Sequence, residues 1–441
     1  FCMFIKRSCL DEVGLFSTSL FGKGYGEENE WCQRAALAGW RNVQALNVFV
    51  EHKGGVSFAD QNNLQKDQAL ATLARHYPDY LTSVQHFISE DPARLYRMKS
   101  LLTAIARSPR AKILAIDHGL GGGVVQHIEE LASFCRQGIF LRLFPLDAQR
   151  VQLMLSATSE LRDTLIFDTH TQYDELVDLC KFLAIGHVHF HHLKGLPDIL
   201  FNLCRDLACQ YDVSIHDYYF INGNPTLTDS QATFCGDRAA RDSLCREACP
   251  ITIPVEAWQQ HWRLFLSQAD RVIFPSVDAH DRFNQDYPLD NTVTAWHPDY
   301  EQLLKAPVPT FNYRAKLNRP LKVLILGYLS KEKGADIADQ VIEKTDSEWV
   351  EFHLLGYSYR PLSKKLHIHG PYHLDEVSQK VTRINADIVW FPAQWPETYS
   401  YTLSIALRHG LPVVVPDLGA FAERISGRPY SVAMPWCTTV D

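Results

Sequence analysis

From Lys112 onward, short apolar runs alternate with helical stretches: Lys112 to Asp117, a helix from Gly123, then runs near Ile139, Val151, Thr164, His187, Val213 and Val272. A chain alternating in this way has few means of burying both its strands and its helices. Parallel strands at the centre with helices over both faces satisfy the pattern, which predicts a doubly wound α/β domain. After a Pro-containing linker from Ala306 to Pro320 the pattern begins again, with runs at Leu321 to Leu326, Val350 to Leu355, Asp387 to Phe391 and Val413 to Val415. Two such domains in tandem leave a cleft at the carboxyl ends of their strands, where open parallel sheets take ligands.

Composition narrows the field. The 441 residues are 46% hydrophobic and 21% charged, ordinary values for a folded chain of two or three domains rather than a disordered one. A net charge of −8 argues against a nucleic-acid partner. No apolar run approaches the roughly 18 residues of a membrane span. Eleven cysteines, an odd number scattered through apolar segments, fit buried reduced thiols better than a secreted disulfide framework and lead to a cytoplasmic expectation.

The chain divides into five expected regions. Residues 1–58 hold an apolar run from Phe1 to Ile5 read as a buried strand, a helix opened by Gly26-Glu27-Glu28-Asn29-Glu30 and capped at Gly39, and a strand from about Val48 to His52. Residues 59–109 are a helical, polar connector; from Arg94 to Lys112 there are six basic residues and no acidic one. Residues 110–305 and 321–441 are the two α/β domains, joined by 306–320. Because the chain opens on Phe1 within a domain-like pattern and shows no closing element after Ser431, both ends read as cut from something longer.

Three segments carry chemistry. The loop Asp117-His118-Gly119-Leu120-Gly121-Gly122-Gly123 follows a strand and precedes a helix, so its backbone can approach a phosphate or sugar. A dinucleotide-dependent oxidoreductase is a weaker reading, because Val124 stands where that fingerprint wants Gly or Ala. The second loop, Gly327-Tyr328-Leu329-Ser330-Lys331-Glu332-Lys333-Gly334, again joins strand to helix and adds a cation. In the third, Trp395-Pro396-Glu397-Thr398-Tyr399-Ser400-Tyr401-Thr402 crowds polar groups at a helix start, where free N–H groups and the dipole attract phosphate.

These segments, in this order, with His127, Val213-Ser214-Ile215-His216-Asp217-Tyr218-Tyr219 and Lys333-Gly334, resemble a glycosyltransferase of family 4 over residues 110–441. The resemblance implies a GT-B architecture, two Rossmann-like doubly wound domains facing a cleft, and transfer from a nucleotide-sugar donor without a metal cofactor, usually with retention. It implies that Gly327, Lys333, Tyr399, Ser400, Tyr401 and Thr402 hold the donor, that Glu397 and His216 are catalytic, and that Gly121, Gly122, Gly123, His127 and Asp217 form the acceptor-side glycine loop. Ile405 replaces a second Glu and Tyr328 replaces an Arg of the family pattern, which leaves a non-catalytic scaffold or acceptor-binding module as the alternative.

Gly24 through Arg34, Ala38-Gly39-Trp40 and Val50-Glu51-His52 resemble the last third of a GT-A domain of glycosyltransferase family 2. That resemblance implies Glu28 as a general base and His52 as a helper at a divalent metal (Mn or Mg) in an intact GT-A domain. The Glu30/Arg34 spacing also makes an ordinary helical ion pair. Together the two resemblances imply a bacterial fusion transferase acting on a surface glycan such as O-antigen or capsule. Its acceptor would be a glycan or lipid-linked glycan. The basic stretch 94–112 is read as a solvated helix, with peripheral contact to the inner face of the plasma membrane as the alternative.

Two clusters remain. His187, His189 and His191 alternate along one strand face with His192 beside them, read as hydrogen-bonded or sugar-facing groups, with a metal as the alternative. Cys235, Cys245 and Cys249 are read as free thiols, with zinc as the alternative and no fourth ligand named by spacing.

Overall fold

A computed structural model describes residues 2–21, 25–46, 48, 50, 62–157, 162–236, 253–309 and 319–436. The chain divides into two compact units, one through Thr103 and one from Ala104.

The N-terminal unit contains no strand among its described residues. Helix Glu27–Leu37 opens on Glu27, Glu28 and Glu30, where the dipole favours carboxylates. It closes as expected around Gly39 at φ +86°: the Gly39 N–H donates to Ala36 O (3.0 Å) and the Trp40 N–H to Ala35 O (2.9 Å), a Schellman pair. Trp31 and Ala35 pack on Cys9 of helix Arg7–Val13. Helices Asn62–His76, Tyr80–Glu90 and Arg94–Arg107 follow. Two expected strands are not seen among the described residues. Residues 2–6 lie outside any element, with Met3 and Phe4 exposed, and Val48 and Val50 are exposed coil; Asn47, Phe49, Glu51 and His52 lie outside the described residues. An apolar run becomes a strand only when a neighbour completes its hydrogen-bond ladder, and the described part of this unit offers none.

The second unit contains two sheets. The first is built from β1 (Ala111–Ile116), β2 (Gly138–Pro145), β3 (Arg150–Ser156), β4 (Arg162–Asp168), β5 (Ile185–Phe190), β6 (Gln210–Ser214), β7 (Arg271–Phe274) and β8 (Thr292–Thr294). Its order is β4-β3-β2-β1-β5-β6-β7-β8, with β3 antiparallel to both neighbours and the other pairs parallel.

The second sheet is wholly parallel, ordered β11-β10-β9-β12-β13-β14, from β9 (Leu321–Leu329), β10 (Val350–Ser358), β11 (Leu366–Ile368), β12 (Ile388–Trp390), β13 (Val413–Pro416) and β14 (Val432–Met434). β9 shows why both faces must be covered. Leu324 and Leu326 enter one core with Leu403, Ala406 and Leu407 of helix Tyr401–Arg408. Val323, Ile325 and Leu329 enter the opposite core with Ala335, Ala338 and Ile342 of helix Ala335–Lys344. Each buried leucine contributes about 2 kcal/mol, and a slip of one residue would exchange the two faces, so the register is strongly specified.

Two doubly wound sheets facing a cleft are therefore present, as the alternation of runs implies. Three strands escape the sequence pattern: β8, β11 and β14 are three residues each and largely exposed. β14 adds an edge strand to β13. Among the described cysteines, Cys9, Cys180 and Cys204 are buried free thiols and Cys2 and Cys135 exposed ones; Cys235 is buried. Cys245 and Cys249 lie outside the described residues.

Candidate functional site

In the second sheet the strand order reverses between β9 and β12, and both loops leaving that point are fixed by backbone geometry. After β9, Gly334 takes φ +82°, and a Cβ there would stand 1.9 Å from Pro392 O, so only glycine fits. The Lys333 N–H donates to Ser330 Oγ (3.2 Å), closing the turn. After β12, Ser400 sits at φ +72° and caps helix Tyr401–Arg408, its Oγ accepting from the Leu403 N–H. Arg424 braces this strained residue from within: its Nη1 donates to Tyr399 O (2.6 Å) and Ser400 O (2.7 Å), and its Nη2 to Ser404 Oγ (2.8 Å). Across the reversal, Lys333 Nζ stands 3.1 Å from Glu397 Oε1; the carboxylate side chain is only 7% exposed, the lysine 36%.

The first sheet brings its glycine loop to the same place. Asp117, fully buried at the end of β1, accepts from the Gly119 N–H (2.7 Å) and from Arg142, fixing the turn. A Cβ on Gly123 would lie 3.5 Å from the Tyr401 ring, so the two halves meet here. Tyr401 reaches back to donate to Glu130 Oε2 (2.9 Å), and burial raises the pKa of that carboxyl. Thr398 Oγ1 donates to His216 O (2.6 Å), and Ser276 Oγ to Thr398 O (2.9 Å).

The result is one cavity of about 680 Å³ between the sheets. Gly121, Gly122, Gly123, His216, Asp217, Gly327, Lys333, Glu397, Tyr399, Ser400, Tyr401 and Thr402 all line it. Such a volume suits a ligand of nucleotide-sugar size. A lysine, a helix N-terminus and glycine backbone converging there suit an anion. Ile405 and Tyr328, the two departures from the family pattern, also line it. The Tyr328 ring lies tilted against that of Tyr357, centroids 4.9 Å apart.

Other expected residues lie elsewhere. His127 is not in the wall; it is buried behind it, ring to ring with His216 (5.2 Å) and His297 (4.1 Å). Glu28 stands half-buried in the first turn of its helix in the N-terminal unit. The buried carboxylate of that turn is Glu30, which accepts from Arg34 Nε (2.7 Å) and the Tyr77 hydroxyl (3.2 Å). His52 lies outside the described residues.

The alternating histidines prove to be a ladder between adjacent strands. His187 bonds Asp212 (3.0 Å), His189 bonds Ser214 (2.8 Å), His191 bonds His216 (3.2 Å) and His192 bonds Asp217 (3.0 Å). Every partner lies 25 residues on, because β5 and β6 run parallel in fixed register. Burial lowers the pKa of His127 to about 3 and that of His189 to about 4, and takes those of His191, His216 and His297 well below the usual imidazole value.

Sequence patterns missed Arg424, His297 and Glu130, whose roles depend on partners far along the chain. They also missed a second cavity of about 960 Å³ at the rim of the first sheet, lined in part by His118, Thr169, His170 and Lys194.

No protein-family model matches the sequence, and no curated protein does. Among solved structures the chain is similar to HepE of Anabaena in complex with UDP-glucose, at 14% identity over 74% of this chain and 85% of that one, with a TM-score of 0.48. It is similar to sucrose-phosphate synthase of Thermosynechococcus elongatus at 16% identity over 75% and 87%, TM-score 0.48. A glycosyltransferase of Rickettsia africae gives 13% identity over 73% and 83%, TM-score 0.47.

Proposed function

We propose that this chain is a glycosyltransferase that moves a sugar from a nucleoside-diphosphate donor to a glycan acceptor, with retention at the anomeric carbon. One observation carries the reading: Lys333 and Glu397 meet across the point where the second sheet reverses, beside the Ser400 helix start and opposite the glycine loop of the first sheet. As the bond from the anomeric carbon to the diphosphate breaks, negative charge grows on the leaving group. A lysine and a helix N-terminus then stabilise the transition state more than the ground state. Glu397, released from Lys333, is left to accept hydrogen bonds from the donor sugar, and His216 lies on the acceptor-side wall. Donor binding by this route calls for no metal.

The surface-glycan acceptor, the cytoplasmic location and a bacterial source belong to the same proposal and rest on the sequence resemblance. No described helix is long and apolar enough to cross a membrane. The basic helix Arg94–Arg107 would be the surface for an anionic membrane holding a lipid-linked acceptor. On sequence resemblance alone, Glu28 would serve a second transferase that uses a divalent metal.

The test is a panel of nucleotide sugars with acceptor glycans, reading free nucleoside diphosphate and glycosylated product by mass. Product that forms with one donor and vanishes in Lys333→Ala supports the transferase. The competing reading is a non-catalytic scaffold, favoured by Ile405 where a carboxylate is expected and by Tyr328 where an arginine is expected. Failure of every nucleoside diphosphate to bind in calorimetric titration would decide for it.

A further inference from the structure

At the cleft wall, three imidazoles converge from three separate segments: His127 from helix Gly123–Phe134, His191 just past β5 and His216 just past β6. One ring nitrogen of each lies within 4.8 Å of the other two, and among the described residues this is the group of three whose geometry could hold an ion. His191 Nδ1 and His216 Nε2 are already 3.2 Å apart. Two nitrogens bound tetrahedrally at about 2.0–2.1 Å from one metal stand about 3.3 Å apart, so one edge of the site has its ligating length.

A second observation is independent of these separations. His127 Nδ1 is buried with no hydrogen-bond partner. Folded proteins leave few buried polar atoms unpaired, and an orphaned imidazole nitrogen facing two others indicates a missing partner. His127 is 7% and His191 1% exposed.

We propose that His127, His191 and His216 form a three-nitrogen site for one divalent ion of the zinc class, its remaining coordination position facing the cleft. An all-imidazole set favours Zn²⁺ and its neighbours Co²⁺, Ni²⁺ and Cu²⁺ over the oxygen-seeking Mg²⁺ and Ca²⁺. His216 and His297 both line the cleft cavity, so an ion held here would be reached from it, with room for a water or a substrate hydroxyl. The site departs from the metal-free expectation drawn from the sequence. It stands on the first sheet alone and does not depend on donor chemistry at Lys333.

Titration of the full chain, first stripped with a chelator, with Co²⁺ tests this by the visible ligand-field band of a low-symmetry nitrogen site. One Co²⁺ per chain, displaced by Zn²⁺, is expected. Binding should weaken by more than about a hundredfold in His127→Gln and in His191→Gln, but not in His187→Gln, whose ring pairs with Asp212. Because the variants could misfold, the wild type is decisive by itself. A chain that takes up no Co²⁺ and whose melting temperature Zn²⁺ leaves unmoved overturns the proposal, as does a band that survives both ligand substitutions. Neither result bears on nucleotide binding.

Discussion

Lys333 Nζ lies 3.1 Å from Glu397 Oε1, so the cation that faces the cleft is already neutralised by a carboxylate sharing its cavity. A diphosphate entering the site competes with Glu397 for that cation.

The two partners should therefore respond with opposite signs. Lys333→Ala removes a charge-assisted contact worth about 1.5–3 kcal/mol and is expected to weaken nucleoside diphosphate binding about 10- to 100-fold. Glu397→Gln frees the lysine from a partly exposed pair worth up to about 1 kcal/mol, so binding of the bare diphosphate should hold or tighten by a few-fold while sugar transfer falls. Calorimetric titration of both variants checks this, and a parallel loss of diphosphate affinity in the two would contradict it.

Gly334 and Gly122 both have positive φ, but only Gly334 is also enclosed. A methyl group on Gly334 would meet Pro392 O at 1.9 Å, whereas one on Gly122 meets nothing within 4 Å. Gly122→Ala should cost about 1–3 kcal/mol, for a backbone at φ +71° and ψ −152° that only glycine adopts readily. Gly334→Ala should cost about 3 kcal/mol or more, since the turn must also move. Urea unfolding midpoints of the two variants give the comparison; equal shifts would mean that the Lys333 turn is not braced as described.

What was legible in the sequence is what local physics dictates. The runs at Leu321 and Val350 appear because a strand buried on both faces must be apolar throughout, and Gly334 marks a turn that only glycine can make. The three polar segments could be named as candidates because each lies where a strand passes into a helix. The remainder needed partners distant in sequence. The period-two histidines were visible, but their pairing with residues 25 positions on follows from the register of β5 on β6. Arg424 carries no local signal that it will brace Ser400. The run from Phe1 to Ile5 has strand composition, yet residues 2–6 form none, because pairing rather than composition makes a strand.

Tyr401 and Glu130 join the two sheets through one hydrogen bond at the cleft. Tyr401→Phe removes only the donor and Glu130→Gln only the charge, so the pair can be isolated in a double-mutant cycle. Because a carboxylate is the acceptor, the coupling should be about 1.5–3 kcal/mol in urea unfolding. Coupling near zero would show that the two halves do not depend on this contact.

His353 gives a pH dependence whose sign is fixed by its burial in the second sheet. Its Nδ1 bonds His369 at 2.9 Å, and Nε2 lies 3.3 Å from Glu351 Oε1. Burial is the largest influence and lowers its pKa from 6.5 to about 4, against the opposing pull of Glu351 and with His369, His367 and Lys322 pushing the same way as burial. Because the folded pKa lies below the unfolded one, the unfolded chain takes up the proton first as pH falls. The folded state is therefore unpenalised above pH 6.5 and loses stability progressively between 6.5 and about 4. Between pH 7.5 and 5 the loss from this residue should approach about 2 kcal/mol. His353→Asn carries no such proton. Its stability deficit relative to wild type, measured by urea unfolding, should shrink by that amount over the same interval, and a deficit that stays constant would place the histidine in contact with solvent rather than in the core.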